Sequence, residues 1–355
     1  MLQEGNVRIL VSACFAGLAV VGINSRAALA QEIKISHQWA EAIDGRDRAT
    51  RVFVQEVAAR TTALKFRIYP NSSLSIRPTE VLAALQANDV EMAVYPLTYA
   101  VDQVPEFSLA GLPGLVPDLD AARALKNSEM HARLQSLAQA HGFRILTWWW
   151  APGGFFAKEA QVFGPSSVRG LKMRAADPLF ELMLKGAGAS IASMPSTDIY
   201  KAMKAGELDA IATTYEAFMS LRLSDQAKFA TLGSSLFMGF CPLVVSLKTW
   251  DRLTPEQKTA LGEAADIADS YFDTVERDLT GRMEEMLRNN GVAIWHMSNS
   301  DYLAWLQLAQ QTAWREYAQS NPRAQDLLLK TVRTFLARLD NEDSASNQSS
   351  DDAKN

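Results

Sequence analysis

VRGLKMRAADPLFELMLKGAGASIASMPSTDIYKAMKAGELDAIATTY, residues 168–215, is the stretch from which the fold is read. Leu171-Lys172-Met173-Arg174 is a β-run, and Asp177-Pro178 marks a helix start, because Asp is a favoured N-cap and Pro a favoured first helical residue. Strand end and helix start nearly coincide. In α/β folds such junctions, outside the carboxyl ends of strands, are where ligands bind. Arg174 at this junction has the fork geometry to take a carboxylate through two hydrogen bonds. Read alone, it fits a surface arginine paired with a nearby acid better.

A second copy of the module changes that balance. TEVLAALQANDVEMAVY (residues 79–95) aligns without a gap on TDIYKAMKAGELDAIAT (residues 197–213). Thr79 meets Thr197, Ala84 meets Ala202, and Ala87 meets Ala205. Each copy reads as a short helix, a turn at Asn88 or Gly206, and a buried strand. Two such units far apart in one chain imply two lobes on one plan around a shared cleft. The matching strand ends, Tyr95 and Thr213, are expected to face it.

The chain has 355 residues, 48% hydrophobic and 21% charged, an ordinary globular composition. Its start differs. Arg8 precedes an apolar run to Ile23, and Ala28-Leu29-Ala30 follows, the pattern of a cleavable signal peptide over residues 1–30. Val11-Ser12-Ala13-Cys14 resembles a lipoprotein box, but most of the apolar run lies after Cys14, which favours cleavage after Ala30. Of 35 basic and 40 acidic residues, cleavage removes Arg8, Arg26 and Glu4, leaving 33 and 39. Mild acidity without basic runs argues against nucleic acid and anionic membrane surfaces. Cys241 would be the only cysteine left, so no internal disulfide is expected. No later segment carries the roughly 20 apolar residues of a membrane span.

Strands alternate with helices along the chain, an α/β pattern with mostly parallel sheets expected. Thr254-Pro255-Glu256-Gln257 is a capping box that opens a helix to about Asn289, long enough to brace both lobes. The expected division is lobe I at residues 31–150 plus about 240–270, and lobe II at 151–239 plus about 271–340. The polar tail 341–355 is expected to be disordered. Trp148-Trp149-Trp150 lies in a strand read over residues 143–150. Alternation forbids all three from facing one core, so either core packing or stacking on a ligand is open to them. Pro152-Gly153-Gly154 after them reads as a turn or hinge.

No catalytic constellation emerges. His37, His131, His141 and His296 are scattered without zinc-ligand spacing, and neither a Gly-x-Ser-x-Gly elbow nor a phosphate loop is present. Cys241 opens an apolar strand and reads as a buried, inert thiol. No metal or cofactor is expected, and a binding protein is favoured over an enzyme.

With these residues in view, the chain resembles the extracytoplasmic solute-binding proteins of TRAP transporters, the DctP-like family. The resemblance rests on IKISH (33–37), YPNSSL (69–74), PEFSLAGLP (105–113), VRGLKMR (168–174), GASIASMP (188–195) and DIYKAMKAGELD (198–209). It implies a two-lobed periplasmic binding protein of type II-like fold closing over a small organic acid, then docking on a sodium-driven membrane permease. Arg174 matches the family's usual carboxylate anchor. By position, Gln38, Trp39, Tyr95, Tyr99, Ala176, Thr213, Thr214 and Tyr215 would line the cleft, with Trp150, Phe155 and Phe156 nearby. The alternatives are a ligand-presenting protein read by a periplasmic sensor, or an enzyme on the same fold.

Three departures from the family pattern bear on the ligand. Gly154-Phe155-Phe156 stands where many members have Gly-Phe-Arg. Ile211-Ala212-Thr213-Thr214 replaces Gln-Glu-Asn-Pro, and Met194-Pro195-Ser196 replaces Met-Pro-Phe. The site would keep one carboxylate anchor and lose a cation and an amide. Since an unpaired buried charge costs several kcal/mol, the expected ligand is a monocarboxylate with an apolar or aromatic body.

Overall fold

The structure is a computed structural model that describes residues 32–233, 236–321 and 326–332. The expected signal peptide and polar tail lie outside these residues.

The strands, in chain order, are β1 (Glu32–Ser36), β2 (Lys65–Tyr69), β3 (Met92–Val94), β4 (Phe143–Ile145), β5 (Trp150–Ala157), β6 (Lys172–Arg174), β7 (Ser190–Ile191), β8 (Ala210–Thr214), β9 (Phe229–Leu232), β10 (Met238–Phe240), β11 (Leu243–Ser246) and β12 (Ala293–His296). The helices are α1 (Gly45–Arg60), α2 (Val81–Ala87), α3 (Leu119–Ala124), α4 (Glu129–Ala140), α5 (Pro178–Gly186), α6 (Ile199–Ala205), α7 (Tyr215–Ser220), α8 (Leu247–Trp250), α9 (Pro255–Asn289), α10 (Asn299–Ala309) and α11 (Arg315–Ser320).

Two sheets define two lobes. The first runs β2-β1-β3-β11-β4; the second runs β12-β9-β5-β8-β6-β7, with β10 paired to β5. Parallel and antiparallel pairings are equally represented, so the sheets are mixed and not mostly parallel. The reversals come from two central strands. β11 runs against β3 and β4 in the first sheet, and β5 runs against β8, β9 and β10 in the second. Each enters its sheet after the chain has crossed between lobes.

The duplicated module has one local geometry in both lobes. A single 3-10 turn (Pro78–Glu80 or Ser196–Asp198) leads into α2 or α6. Both helices end on a left-handed residue, Asn88 at φ 68° and Gly206 at φ 76°. Asp89 N–H then bonds to Ala84 O, and Glu207 N–H to Ala202 O, each at 2.9 Å, closing the same Schellman-type cap. Asn and Gly are the residues that tolerate this conformation, which is why the turn was legible.

Helix α9 has the expected capping box, with Thr254 Oγ1 accepting from Gln257 N–H and Gln257 Oε1 from Thr254 N–H. Leu261, Ala264, Ala265, Ala268 and Phe272 pack in a first-lobe cluster; Leu279, Met283 and Leu287 pack in a second-lobe cluster. One helix thus braces both lobes. The C-terminal helices also divide. Trp305 lies in a second-lobe core, whereas Tyr317, Leu327 and Leu328 pack among first-lobe residues. The described residues 315–321 and 326–332 therefore go with the first lobe, because their apolar side chains find their partners there.

The strand expected over residues 143–150 is two strands, β4 and β5, one in each sheet. Trp148 and Trp150 pack in one first-lobe cluster and Trp149 in the other. Gly153 and Gly154 form no turn. They lie inside β5, where a Cβ would stand 2.1 Å from Thr213 O and 2.4 Å from Thr231 O. Glycine there lets β8 and β9 approach closely on either side.

Candidate ligand-binding cleft

A cleft with about 610 Å³ of free space, part of it open to solvent, lies between the lobes. Its walls come from the carboxyl ends of β1, β3, β6 and β8, from the 3-10 segment Pro105–Gly111, from the N-terminal turn of α1, and from the chain joining β10 to β11. That is where strand-end loops place ligands in α/β sheets.

The structure brings Gln38, Trp39, Tyr99, Arg174, Ala176, Thr213 and Thr214 to this cleft. Arg174 is 1% exposed. Its Nε donates to Met194 O at 2.9 Å, and its Nη2 is buried with no hydrogen-bond partner among the described residues. Among the described residues no carboxylate lies within ion-pair distance of it, although the Arg174 charge is felt by the buried Glu181 carboxyl. A buried guanidinium held this way presents a free donor and an unneutralised charge to whatever enters.

Five expected site residues lie elsewhere. Tyr95 is fully buried in the first-lobe core, edge-on to Phe143 at 6.3 Å between ring centroids. The turn that follows it, with Pro96, Leu97, Thr98 and Tyr99, forms the wall in its place. Trp150 stacks on Phe240 at 4.7 Å in the same core and borders a separate groove beside α3 and α9. Phe155 packs on Trp305, and Phe156 stacks on Phe218 at 3.8 Å. These two point to opposite faces of a central strand, and both faces are covered by second-lobe cores. Tyr215, the first residue of α7, lies edge-on to Phe156 in that core.

The walls contain residues that the sequence reading missed. Phe107, Phe237, Met238 and Phe240 supply apolar surface. Ser196 accepts from Gln38 Nε2 at 2.6 Å, and its N–H donates to the Tyr99 hydroxyl at 3.0 Å, so it ties the lobes across the opening. Thr98 Oγ1 donates to Ala176 O at 2.8 Å and to Asp177 Oδ2 at 3.1 Å, a second tie. Asp177 also caps α5 through Leu179 N–H; burial pushes its carboxyl up to about 6 against these hydrogen bonds.

Arg46 is the second cation of the cleft wall. Its Nε and Nη2 grip Asp44 at 2.7 Å each, and its guanidinium lies 4.0 Å over the Trp39 ring. Burial would push the Asp44 carboxyl up, but the Arg46 charge and hydrogen bonds outweigh it and hold it below the usual range. Behind this pair lie Glu216, accepting from Gly45 N–H at 3.0 Å, and the fully buried Glu276 on α9. Cys241 is buried, and burial pushes its thiol up to about 11, an unreactive state. Among the described residues, no group of three or more His, Cys, Asp or Glu is placed to hold a metal ion, and no helix is long and apolar enough to cross a membrane.

Two lobes with mixed sheets, a bracing helix and an interlobe cleft holding a buried unpaired arginine define a solute-binding protein. The chain belongs to the DctP family, bacterial extracellular solute-binding protein family 7, whose pattern it matches over residues 35–321. It is 31% identical over 329 residues to a solute-binding protein of Albidiferax ferrireducens, covering 90% of this chain and 97% of that one. It superposes at TM-score 0.83 and 30% identity on a TRAP periplasmic solute binding protein from Rhodoferax ferrireducens with bound malonate, over 86% of this chain and 99% of the other. A Bordetella pertussis receptor, DctP7, binding pyroglutamic acid shares the fold at TM-score 0.78 and 18% identity, over 86% of this chain and 100% of that one.

Proposed function

We propose that this protein captures a small organic acid in the periplasm and delivers it to the membrane permease of a TRAP transporter, with Arg174 as carboxylate anchor. The observation that carries the reading is the Arg174 guanidinium, buried in the cleft wall with Nη2 unpartnered. An acid supplies the missing acceptor and countercharge together. The malonate bound by the Rhodoferax ferrireducens relative supports a small carboxylic acid as ligand, but with two carboxylates it does not support the restriction to one. The acid is a monocarboxylate with an apolar body. Phe156 and Trp150 no longer support that choice; Trp39, Tyr99, Phe107, Phe237 and Phe240 support it instead, as an aromatic wall around one free charge.

A thermal-shift screen of the protein without residues 1–30 against a panel of carboxylic acids tests the reading. A ligand at 100 times its Kd stabilises the fold by about 2.7 kcal/mol, a shift of several degrees. Hits among monocarboxylates that disappear in Arg174→Ala are expected. Hits that survive in Arg174→Ala would remove Arg174 from the site, and a panel without carboxylate hits would remove the ligand class.

A further inference from the structure

The two arginines of the cleft are not equivalent, and the difference sets the second half of the ligand. Among the described residues Arg174 has no carboxylate bound to it, and only the more distant Glu181 feels its charge. Arg46 has one, since Asp44 takes its Nε and Nη2 in a bidentate pair. The pair is fully enclosed: Arg46 is 2% exposed and Asp44 0%. Asp44 is itself fixed, accepting from Arg46 N–H at 3.0 Å and from Ser220 Oγ of the opposite lobe at 2.8 Å. A guanidinium carries five N–H groups, and Asp44 uses the Nε face only. Among the described residues the one hydrogen-bond partner of Nη1 is the Cys241 thiol, at 3.9 Å, and both residues are walls of the cleft. Arg46 therefore offers donors whose charge is already neutralised.

We propose that the cleft selects a monoanion bearing a second, uncharged hydrogen-bond acceptor, with its carboxylate on Arg174 and a carbonyl, amide or hydroxyl oxygen on Arg46. This rests on the function proposed above and narrows its ligand class. A neutral oxygen at Arg46 accepts a charge-assisted hydrogen bond and brings no new ion into the buried wall. A second carboxylate there would face the Asp44 carboxylate across one guanidinium. Like charges at that range, away from water, are costly. An alkyl group at Arg46 would cover donors and return nothing.

Three acids with one heavy-atom skeleton separate these cases: malonate, its monoamide malonamate, and isovalerate. The series one methylene longer is succinate, succinamate and 4-methylvalerate. Calorimetric titration of each into the protein is expected to rank the monoamide about tenfold or more above both other members of its series. Asp44→Asn keeps an N-cap side chain on α1 and removes the neutralising charge. It is expected to reverse the order of dicarboxylate and monoamide, with a melting scan to show that the variant is folded. A wild-type protein that binds the dicarboxylate or the alkyl acid as tightly as the monoamide overturns this inference and leaves the carboxylate-capture reading standing. Failure of every acid in both series and in the wider panel overturns both. If Asp44→Asn does not fold, the wild-type ranking alone decides.

Discussion

Gln38 and Ser196 meet across the cleft, the Gln38 Nε2 donating to Ser196 Oγ at 2.6 Å. One residue follows β1 in the first lobe and the other begins the 3-10 turn before α6 in the second. The contact exists only when the lobes are together. Ser196→Ala deletes the acceptor and leaves the backbone N–H contact to Tyr99 in place. Ligand release is expected to quicken about fivefold while association changes little, in line with a hydrogen bond worth roughly 1 kcal/mol. Stopped-flow fluorescence reads both rates; an unchanged release rate would show that the contact does not hold the lobes closed.

Arg174→Ala is expected to weaken carboxylate binding by about 2–5 kcal/mol, the cost of truncating one side of a buried charge pair. The unliganded variant should melt close to wild type, because removal of a buried charge with no ion-paired carboxylate offsets the loss of the Nε bond to Met194 O. Arg174→Lys should restore charge without the fork and recover only part of the affinity. Calorimetry on the three proteins checks this, and near-normal affinity in Arg174→Ala would refute it.

Burial, with the Asp44 charge adding to it and Arg46 opposing, pushes the Glu216 carboxyl up to about 7. Burial and then Glu216 push Glu276 well above its usual value. An acid whose folded value exceeds its unfolded one keeps its proton in the folded state, so the stability it contributes is full below about 4.5 and lost as pH rises through 7. Asp177 and Asp269, both raised to about 6 by burial, act with the same sign. Asp44 and Asp47 are lowered, so their opposite contribution falls at acid pH, below this window. Stability, and the melting temperature with it, is therefore expected to fall between pH 5 and 8, on the order of 1–3 kcal/mol of the lost stability being traceable to Glu216. Glu216→Gln should flatten the profile, and a rising profile in wild type would contradict the assignment.

Neither carboxyl oxygen of Glu276 has a hydrogen-bond partner among the described residues, and the residue is 0% exposed. Replacing such a group by an apolar one of similar size is often stabilising. Glu276→Leu is expected to raise stability by about 1–3 kcal/mol at pH 8, and less at pH 5, where the native carboxyl is neutral. Chemical denaturation at the two pH values tests the difference; equal effects would mean that the Glu276 carboxyl titrates alike in the folded and unfolded states.

Phe156→Ala should destabilise the fold by about 3–5 kcal/mol and leave the affinity of the folded protein unchanged, since its ring is stacked on Phe218 in a closed core. A loss of affinity with intact stability would return Phe156 to the cleft.

Residues 168–215 were legible because each decisive feature is local. The strand end at Arg174, the Asp177-Pro178 cap and the left-handed turns at Asn88 and Gly206 depend on neighbours a few positions away. Helix α9 announced itself through its capping box and spacing. The cleft wall was only partly readable. Strand alternation places Phe155 and Phe156 on opposite faces of β5, but both faces of that strand are buried, so parity carried no information about the ligand. Arg46 gave no signal as a site residue, because its place in the wall depends on Trp39 and on Cys241, 195 positions away. Glu276 sits one helical turn from Phe272 on the buried side of α9, and nothing in its spacing distinguishes a carboxylate kept dry from one reaching solvent. Phe237 and Phe240 depend on how the chain returns from one lobe to the other, and spacing along the sequence does not encode that.

The position of β11 has a kinetic consequence. It lies between β3 and β4, so the first sheet has a gap at its centre until Leu243–Ser246 is available, after β5 through β10 have been made. The amino-terminal lobe therefore cannot complete itself as a separate early unit, and its closure waits for a contact of very long sequence separation. Such closures are slow, because the loop entropy is lost before the contact is gained. The first sheet is therefore expected to complete only once Leu243–Ser246 has been made.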